Sequence, residues 1–242
     1  MIKVIINVTK VIVALVASLL FSSCNFNFQQ VEGNGNITTQ KRPVNESFQS
    51  VSVGYGLELI IEQNSQTSIT VEADENLMKH IKTEVRGGEL VITSDANINS
   101  STARVIVSMP VINSIESSSG STVKGKNIIK SDNLELSSSS GSSMKVTVDV
   151  KSLSCDTSSD GNITVSGKTG TLETEASSGS HIDAKGLTAR SIISNASSGG
   201  SSIVNPTESL TAEASSGGSV NYVNTPSRLN KQVSSGGSVS EE

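Results

Sequence analysis

The sequence predicts an all-β protein built as a solenoid of stacked coils of about 19 residues each. A Ser-Ser-Gly signature returns at near-constant spacing through the second half of the chain, and alternating apolar and polar runs separate its copies. Aromatic residues make up only 2% of the chain, and none lies between Tyr55 and Tyr222. Because the core of an ordinary globular enzyme usually relies on large rings, this composition favours thin coils instead.

Residues 1–23 are predicted to be a secretory signal peptide. Lys3 and Lys10 precede a mainly apolar run over residues 11–21. A run of this length is too short to cross a bilayer as a helix, but it is typical of the apolar region of a signal peptide.

Cys24 follows two serines in an arrangement similar to a bacterial lipobox, in which the new N-terminal cysteine carries a diacylglycerol. We therefore expect lipidation of Cys24, with residues 24–35 as a tether to the membrane. Phe21 departs from the aliphatic residue usual at its position, and the alternative is a plain signal peptide followed by an incidental cysteine. Asn25 rather than Asp comes next, which by analogy with Gram-negative lipoproteins indicates the cell outer membrane, on either its periplasmic or its surface face.

Lipidation would leave Cys155 as the only other cysteine, so no intramolecular disulfide is expected. Its neighbours are Ser154 and Asp156, and no nearby Lys, Arg or His would lower the pKa of the thiol. We expect Cys155 to be a small buried apolar residue rather than a reactive group.

Residues 36–242 are predicted to form a single domain, whose first part, residues 36–110, is rich in β structure without a regular period. Short runs of Val, Ile and Thr separated by Gly and Asn are typical of strands and turns. The predicted strands cover Phe48 to Val53, Leu57 to Glu62, Ser68 to Ala73, Glu84 to Val85, Leu90 to Thr93 and Arg104 to Met109.

Residues 111–242 are predicted to form seven Ser-Ser-Gly coils. Their glycines are Gly120, Gly141, Gly161, Gly179, Gly199, Gly217 and Gly236. The gaps between them are 18 to 21 residues. A disordered Ser- and Gly-rich linker has no reason to keep such a period, whereas stacked coils need nearly equal perimeters. Each Gly is expected at a tight corner of the backbone.

Aligning the coils on these glycines predicts which side chains point inward. The inward set is Leu or Ile seven residues before Gly, a small residue three before it and an apolar residue three after it. The outward position four before Gly reads Glu116, Ser137, Thr157, Glu175, Asn195, Glu213 and Gln232. No carboxylates are therefore expected on adjacent coils of this face, which argues against a metal site there. We interpret the Ser ladder as a corner feature; an array of hydroxyls that binds a ligand or ice is the alternative.

An ordered set of short motifs resembles one protein family. The set comprises Gly33-Asn-Gly35-Asn-Ile, Arg42-Pro43, Glu72-Ala-Asp-Glu-Asn-Leu77, Met109-Pro110, the repeated Ser-x-Gly coils, and Tyr222 with Pro226. Over residues 33–239 the chain is similar to the putative auto-transporter adhesin, head GIN domain family. This resemblance implies a right-handed β-helix-like fold, often found on secreted or lipid-anchored bacterial proteins, and it supplies no catalytic residues.

The sequence contains no recognisable catalytic, cofactor-binding or metal-binding motif. His80 and His181 do not have the spacing of metal ligands, and His181 is expected to be solvated. The 18 basic and 23 acidic residues disfavour nucleic acid as a partner. Asp149, Asp156 and Asp160 could form an acidic patch on the third coil, for which a solvated surface is the simpler interpretation.

The sequence thus predicts a lipid-anchored cell-envelope solenoid that acts in adhesion or surface interaction, without catalysis or a cofactor, through an unidentified protein or glycan partner. The alternative is a carbohydrate-active β-helix lyase or hydrolase that uses Asp156 and Asp160. A third possibility is an envelope signalling module with a protein partner.

Overall fold

The computed structural model describes residues 30–100 and 102–242. The predicted signal peptide and Cys24 lie outside the described residues, and residues 31–242 form one compact unit. The strands are β1 (Gln30–Glu32), β2 (Ile37–Arg42), β3 (Ser50–Val53), β4 (Glu58–Gln63), β5 (Ser68–Asp74), β6 (Ile81–Arg86), β7 (Glu89–Ser94), β8 (Asn97–Asn99), β9 (Ala103–Met109), β10 (Ser114–Ser117), β11 (Thr122–Ser138), β12 (Ser143–Thr157), β13 (Asn162–Ala176), β14 (His181–Ala196), β15 (Ser201–Ala214), β16 (Ser219–Tyr222), β17 (Arg228–Val233) and β18 (Ser238–Glu241). In this part of the chain there is no helix, and hence none that could span a membrane.

Parallel strand pairing builds the solenoid. The strands β11 to β15 each run through most of a coil, and consecutive strands within this group pair along most of their length. For example, β12 pairs with β13 from Ser143 opposite Asn162 to Thr157 opposite Ala176. Because equivalent positions stack on one another, backbone hydrogen bonds run along the whole rod. The predicted all-β solenoid with coils of about 19 residues is confirmed.

The stacked register begins before the first Ser-Ser-Gly coil. β3 pairs with β10 and β4 pairs with β11, both in parallel, and Gly54-Tyr55-Gly56 makes the corner between β3 and β4. The amide of Gly56 donates to the carbonyl of Ser119 on the next coil, 2.9 Å away. Tyr55 and Gly56 have φ of 61° and 71°, as in the later corners. Part of residues 36–110 therefore belongs to the periodic array.

Antiparallel strands complete the N-terminal end. β7 and β9 pair in parallel with β3 and β4, whereas β2 with β5, β5 with β9 and β6 with β7 are antiparallel pairs. All the strands predicted between residues 48 and 109 are present, with their bounds shifted by a few residues. Residues 75–80 form a turn between β5 and β6.

The core consists of aliphatic columns inside the coils. One column contains Leu134, Leu153, Leu172, Ile192 and Leu210, each at most 2% exposed. Burial of one such side chain contributes ~1.5–3 kcal/mol to folding. Together with the backbone ladders, these columns hold coils that contain little aromatic surface.

The C-terminal end of the stack is open. Among the described strands, β17 pairs only with β15, and β18 only with β16. Leu229 and Val233 of β17 are 37% and 54% exposed. Lys231 occupies the inward column, in register with Ala212, and its Nζ donates to the phenolic oxygen of Tyr222 at 2.8 Å. A charge on the inward face of a terminal strand is one way in which proteins protect an open edge.

Candidate functional site

Each coil turns at a corner made by two residues in the left-handed backbone conformation. In a representative corner, Ser178 has φ 53° and Gly179 has φ 76°. The amide of Gly179 donates to the carbonyl of Ser198 on the next coil at 3.2 Å. Gly adopts this conformation freely, whereas a residue with a Cβ does so at a cost of about 1–2 kcal/mol. The predicted placement of the Ser-Ser-Gly signature at tight corners is confirmed.

The third coil departs from an alignment on glycine. Asp160, with φ 61°, occupies the corner, and Gly161 follows it, so the sequence alignment was one residue out of register here. With Asp160 at the corner, the gaps on both sides become 19 residues. Leu153, Thr157 and Ile163 then fall into the inward columns, and each is at most 4% exposed. Asp can replace Gly because its short polar side chain tolerates the left-handed region better than most.

The position after the corner in the seven Ser-Ser-Gly coils is either Ser, whose hydroxyl bonds to the preceding coil, or Gly, where two backbones approach closely. Ser180 donates its hydroxyl to the carbonyl of Thr157 on the preceding coil at 2.9 Å, and it accepts from the amide of Ser177. At Gly200, by contrast, an added Cβ would lie well under 3 Å from the carbonyl oxygen of Ala176. The second Gly of the Ser-Ser-Gly-Gly coils is therefore required by the close approach of two backbones.

One outer surface of the solenoid carries stacked carboxylates, and we call it the carboxylate face. It is formed by the outward side chains of segments 114–117, 134–138, 153–157, 172–176, 192–196 and 210–214, which contain no Lys or Arg. Its acidic members are Glu116, Glu135, Asp156, Glu173, Glu175 and Glu213.

Asp156 lies in register with Glu175 on the next coil, so the expectation that no carboxylates occupy adjacent coils is wrong. The error follows from the one-residue shift in the third coil, which placed Thr157 in the outward column. Thr157 points inward and is 4% exposed.

The Asp156 carboxyl has an altered acidity. Burial raises its pKa, and the nearby charge of Glu175 raises the pKa further, while a hydrogen bond from Ser154 Oγ at 3.4 Å acts in the opposite direction. A groove of about 290 Å³ beside the corners is lined by Asp156, Glu175 and Glu116, and another of about 450 Å³ extends to Glu213. The face can accept hydrogen bonds and attract cationic groups.

The three acids predicted to form a patch on the third coil do not form one cluster. Asp149 precedes Asp156 in the coil and pairs with Lys168 of the next coil at 3.3 Å. Asp160 is part of the corner itself. The carboxylate brought to Asp156 is that of Glu175, a residue that the misaligned coil had separated from it.

Cys155 is fully buried, and burial raises the pKa of its thiol, so its predicted role as a small core residue is confirmed. His181 is half-buried rather than freely solvated, because its Nδ1 lies 2.7 Å from Ser201 Oγ on the next coil. His80 Nδ1 lies 2.6 Å from the Asp95 carboxylate. Within residues 30–100 and 102–242, no three His, Cys, Asp or Glu side chains are grouped so that they could hold a metal ion.

A family model described as putative auto-transporter adhesin, head GIN domain matches residues 47–226. The chain belongs to this family. The head GIN domain therefore covers the array from the strand before the Gly54-Tyr55-Gly56 corner to Pro226, and the resemblance found in the sequence motifs is confirmed. No match is found among curated proteins.

Solved structures share the fold of this head GIN domain. A putative adhesin from Bacteroides fragilis NCTC 9343 superimposes with a TM-score of 0.78 at 17% identity, over 88% of this chain and 100% of that chain. A putative adhesin from Parabacteroides distasonis ATCC 8503 gives a TM-score of 0.72 at 20% identity, again over 88% and 100%. A putative lipid binding protein from the same strain gives 0.68 at 19% identity, over 88% and 100%. At these identities the likeness is one of fold.

Proposed function

We propose that this head GIN protein is an adhesin-like scaffold, anchored through a lipid on Cys24 to the cell outer membrane, that binds a surface partner without catalysing a reaction. The observation that carries the proposal is the solenoid array itself. Its stacked register repeats exposed polar side chains from coil to coil, and such a rigid, extended surface suits multivalent contact with a protein or a glycan.

The anchoring part is tested by Cys24→Ala together with globomycin, which blocks lipoprotein signal peptidase. We expect the variant and the treated cells to retain an uncleaved precursor. Less of the protein should then be found in the outer-membrane fraction. Unchanged size and fractionation in both would contradict anchoring through Cys24.

The binding part is tested by pull-down from envelope fractions with the lipid anchor intact. A matched bait of residues 31–242, made without the signal peptide and Cys24, separates partners that need the membrane from those that bind the domain directly. Recovery of the same envelope component by both baits supports a surface-interaction scaffold, and recovery of none speaks against it.

A second candidate function is a carbohydrate-active lyase or hydrolase, and the Asp156–Glu175 pair favours it. A carboxyl with a raised pKa beside a second carboxyl group is the arrangement that general acid catalysis on glycosides uses. Activity on a polysaccharide panel that is lost in Asp156→Asn and retained in the control Asp149→Asn would establish this function. A panel without activity leaves the scaffold as the better account.

A further inference from the structure

A cleft of about 500 Å³ lies at the N-terminal end of the domain, between the end of β2 and the strand β6. Its polar lining includes Arg42, Asn45, Glu46, Lys79, Lys82 and Thr83. This volume is within the range of sites that hold a small molecule or part of a larger one.

Arg42 is held in place by the protein backbone. Its Nη2 donates to the carbonyls of Met78 at 2.8 Å and Ile81 at 3.3 Å. Among residues 30–100 and 102–242, no carboxylate pairs with Arg42, and its buried Nε has no hydrogen-bond partner. The contrast is Arg104, which pairs with two carboxylates. Burial without a counter-charge lowers the pKa of the Arg42 guanidinium, and the result is a fixed cation that the described chain does not neutralise.

The other charges of the cleft leave it with an excess of positive charge. Lys79 has no carboxylate partner within the described residues, whereas Lys82 pairs with Asp95 at 3.0 Å. Glu46 is an exposed acid on the same cleft. Glu84 also lines the cleft, but its carboxylate pairs with Arg86. Arg42 and Lys79 against Glu46 therefore amount to about one uncompensated positive charge, which a ligand with one negative charge would balance.

We propose that this cleft binds the carboxylate of an acidic sugar, such as a uronate residue of a glycan. Because Nη2 of Arg42 already donates to two carbonyls and its Nε is buried, Nη1 is the guanidinium nitrogen left to donate to a carboxylate oxygen. The ammonium of Lys79 supplies a second charged donor on the same cleft. A phosphate would bring more negative charge than the cleft balances. Asn45, Thr83 and Glu46 supply donors and acceptors for sugar hydroxyls. The inference deepens the adhesin proposal, on which it rests for the choice of a glycan.

The test uses residues 31–242, which form one compact unit with its own core, in a ¹⁵N-labelled titration by NMR. Digalacturonate is the probe, and its neutral dimethyl ester is the matched control ligand. We expect the acid to shift the amide signals around Arg42 and Lys79, and the ester to bind at least about tenfold more weakly, the loss expected for one hydrogen bond to a charged group. No binding of the acid, or equal binding of the ester, overturns the proposal.

Variants and competing ligands separate this site from a general charge effect. Lys79→Gln should weaken binding about tenfold, while Lys41→Gln, an exposed lysine outside the cleft, should leave it unchanged; the reverse order overturns the assignment. Arg42→Lys should weaken binding while circular dichroism shows an intact fold. If inorganic phosphate binds more tightly than digalacturonate, the assignment of a carboxylate ligand is wrong. If the peptide Gly-Ser-Gly binds as tightly as digalacturonate, the assignment of a sugar is wrong. These outcomes leave the anchoring and pull-down tests of the proposed function unaffected.

Discussion

Replacing Gly200 by Ala tests the steric account of the corners. The backbone φ of Gly200 lies outside the left-handed region, yet the new Cβ would overlap the carbonyl oxygen of Ala176. To relieve this overlap, the two coils must separate where the amide of Ser201 donates to the carbonyl of Ser180 at 2.9 Å. Overpacking of this kind costs about 3 kcal/mol. For a chain of this size, that lowers the melting temperature by ~6–12 °C.

The matched control is Gly199→Asn, one residue earlier. Gly199 has φ 76° and nothing within 4 Å of an added Cβ, so Asn meets only the left-handed backbone, which it tolerates at about 1 kcal/mol. Thermal melts followed by circular dichroism should therefore show a loss of ~2–4 °C for the control, clearly smaller than for Gly200→Ala. Equal losses, or a larger loss for Gly199→Asn, would refute the claim that close approach between coils sets the second glycine.

Three further predictions follow from other parts of the molecule. The pKa of Asp156 is raised above its ordinary value of 3.8 in the folded chain, so the fold loses stability as the pH rises from 3.8 through the raised pKa. Asp156→Asn should therefore raise the melting temperature at pH 7, and this gain should vanish as the pH falls below 3.8. On gel filtration with light scattering, Lys231→Val should shift the protein toward larger species, since it removes the charge from the open edge; Lys145→Val, an exposed lysine on a central coil, is the control and should cause no shift. Cys155 should react with a thiol reagent only as fast as the domain unfolds, and rapid labelling of the native protein would contradict its burial.

The sequence predicts the repeating half of the fold well because each coil must satisfy the same geometry. Small residues before the corner, a left-handed corner and aliphatic columns recur, and the strands around Tyr55 follow from their β-branched composition. The prediction failed at corners where a different residue adopts the left-handed conformation that Ser or Gly has in the other coils. Asp160 does this in the third coil, and Tyr55 does it in the earliest corner, so an alignment on Ser-Ser-Gly passes over both.

The candidate sites depend on register and therefore could be predicted only in part. The meeting of Asp156 with Glu175 could have been found by requiring that Leu153 and Ile163 fall into the inward columns, which moves the third coil by one residue. No pattern in the sequence indicates the cleft around Arg42. Arg42 and the carbonyl of Met78 that orients it are 36 residues apart in the chain, and only the folded arrangement of β2 and β6 brings them together.

The steric rule at the corners bears on how such an array changes length during evolution. Ala176, Ala196 and Ala214 are each overlaid by a glycine on the next coil, namely Gly200, Gly218 and Gly237. A duplicated copy of the coil with Ala196 and Gly200, or of the coil with Ala214 and Gly218, brings its own glycine to the alanine of the preceding coil, so both junctions of the insertion keep this contact. A copy of the third coil inserted after itself would instead place Gly161 over Thr157, and this new junction would lack the hydrogen bond that Ser180 makes to Thr157 in the present chain. Gain or loss of coils is therefore most readily accommodated toward the C-terminus, where the repeats are interchangeable.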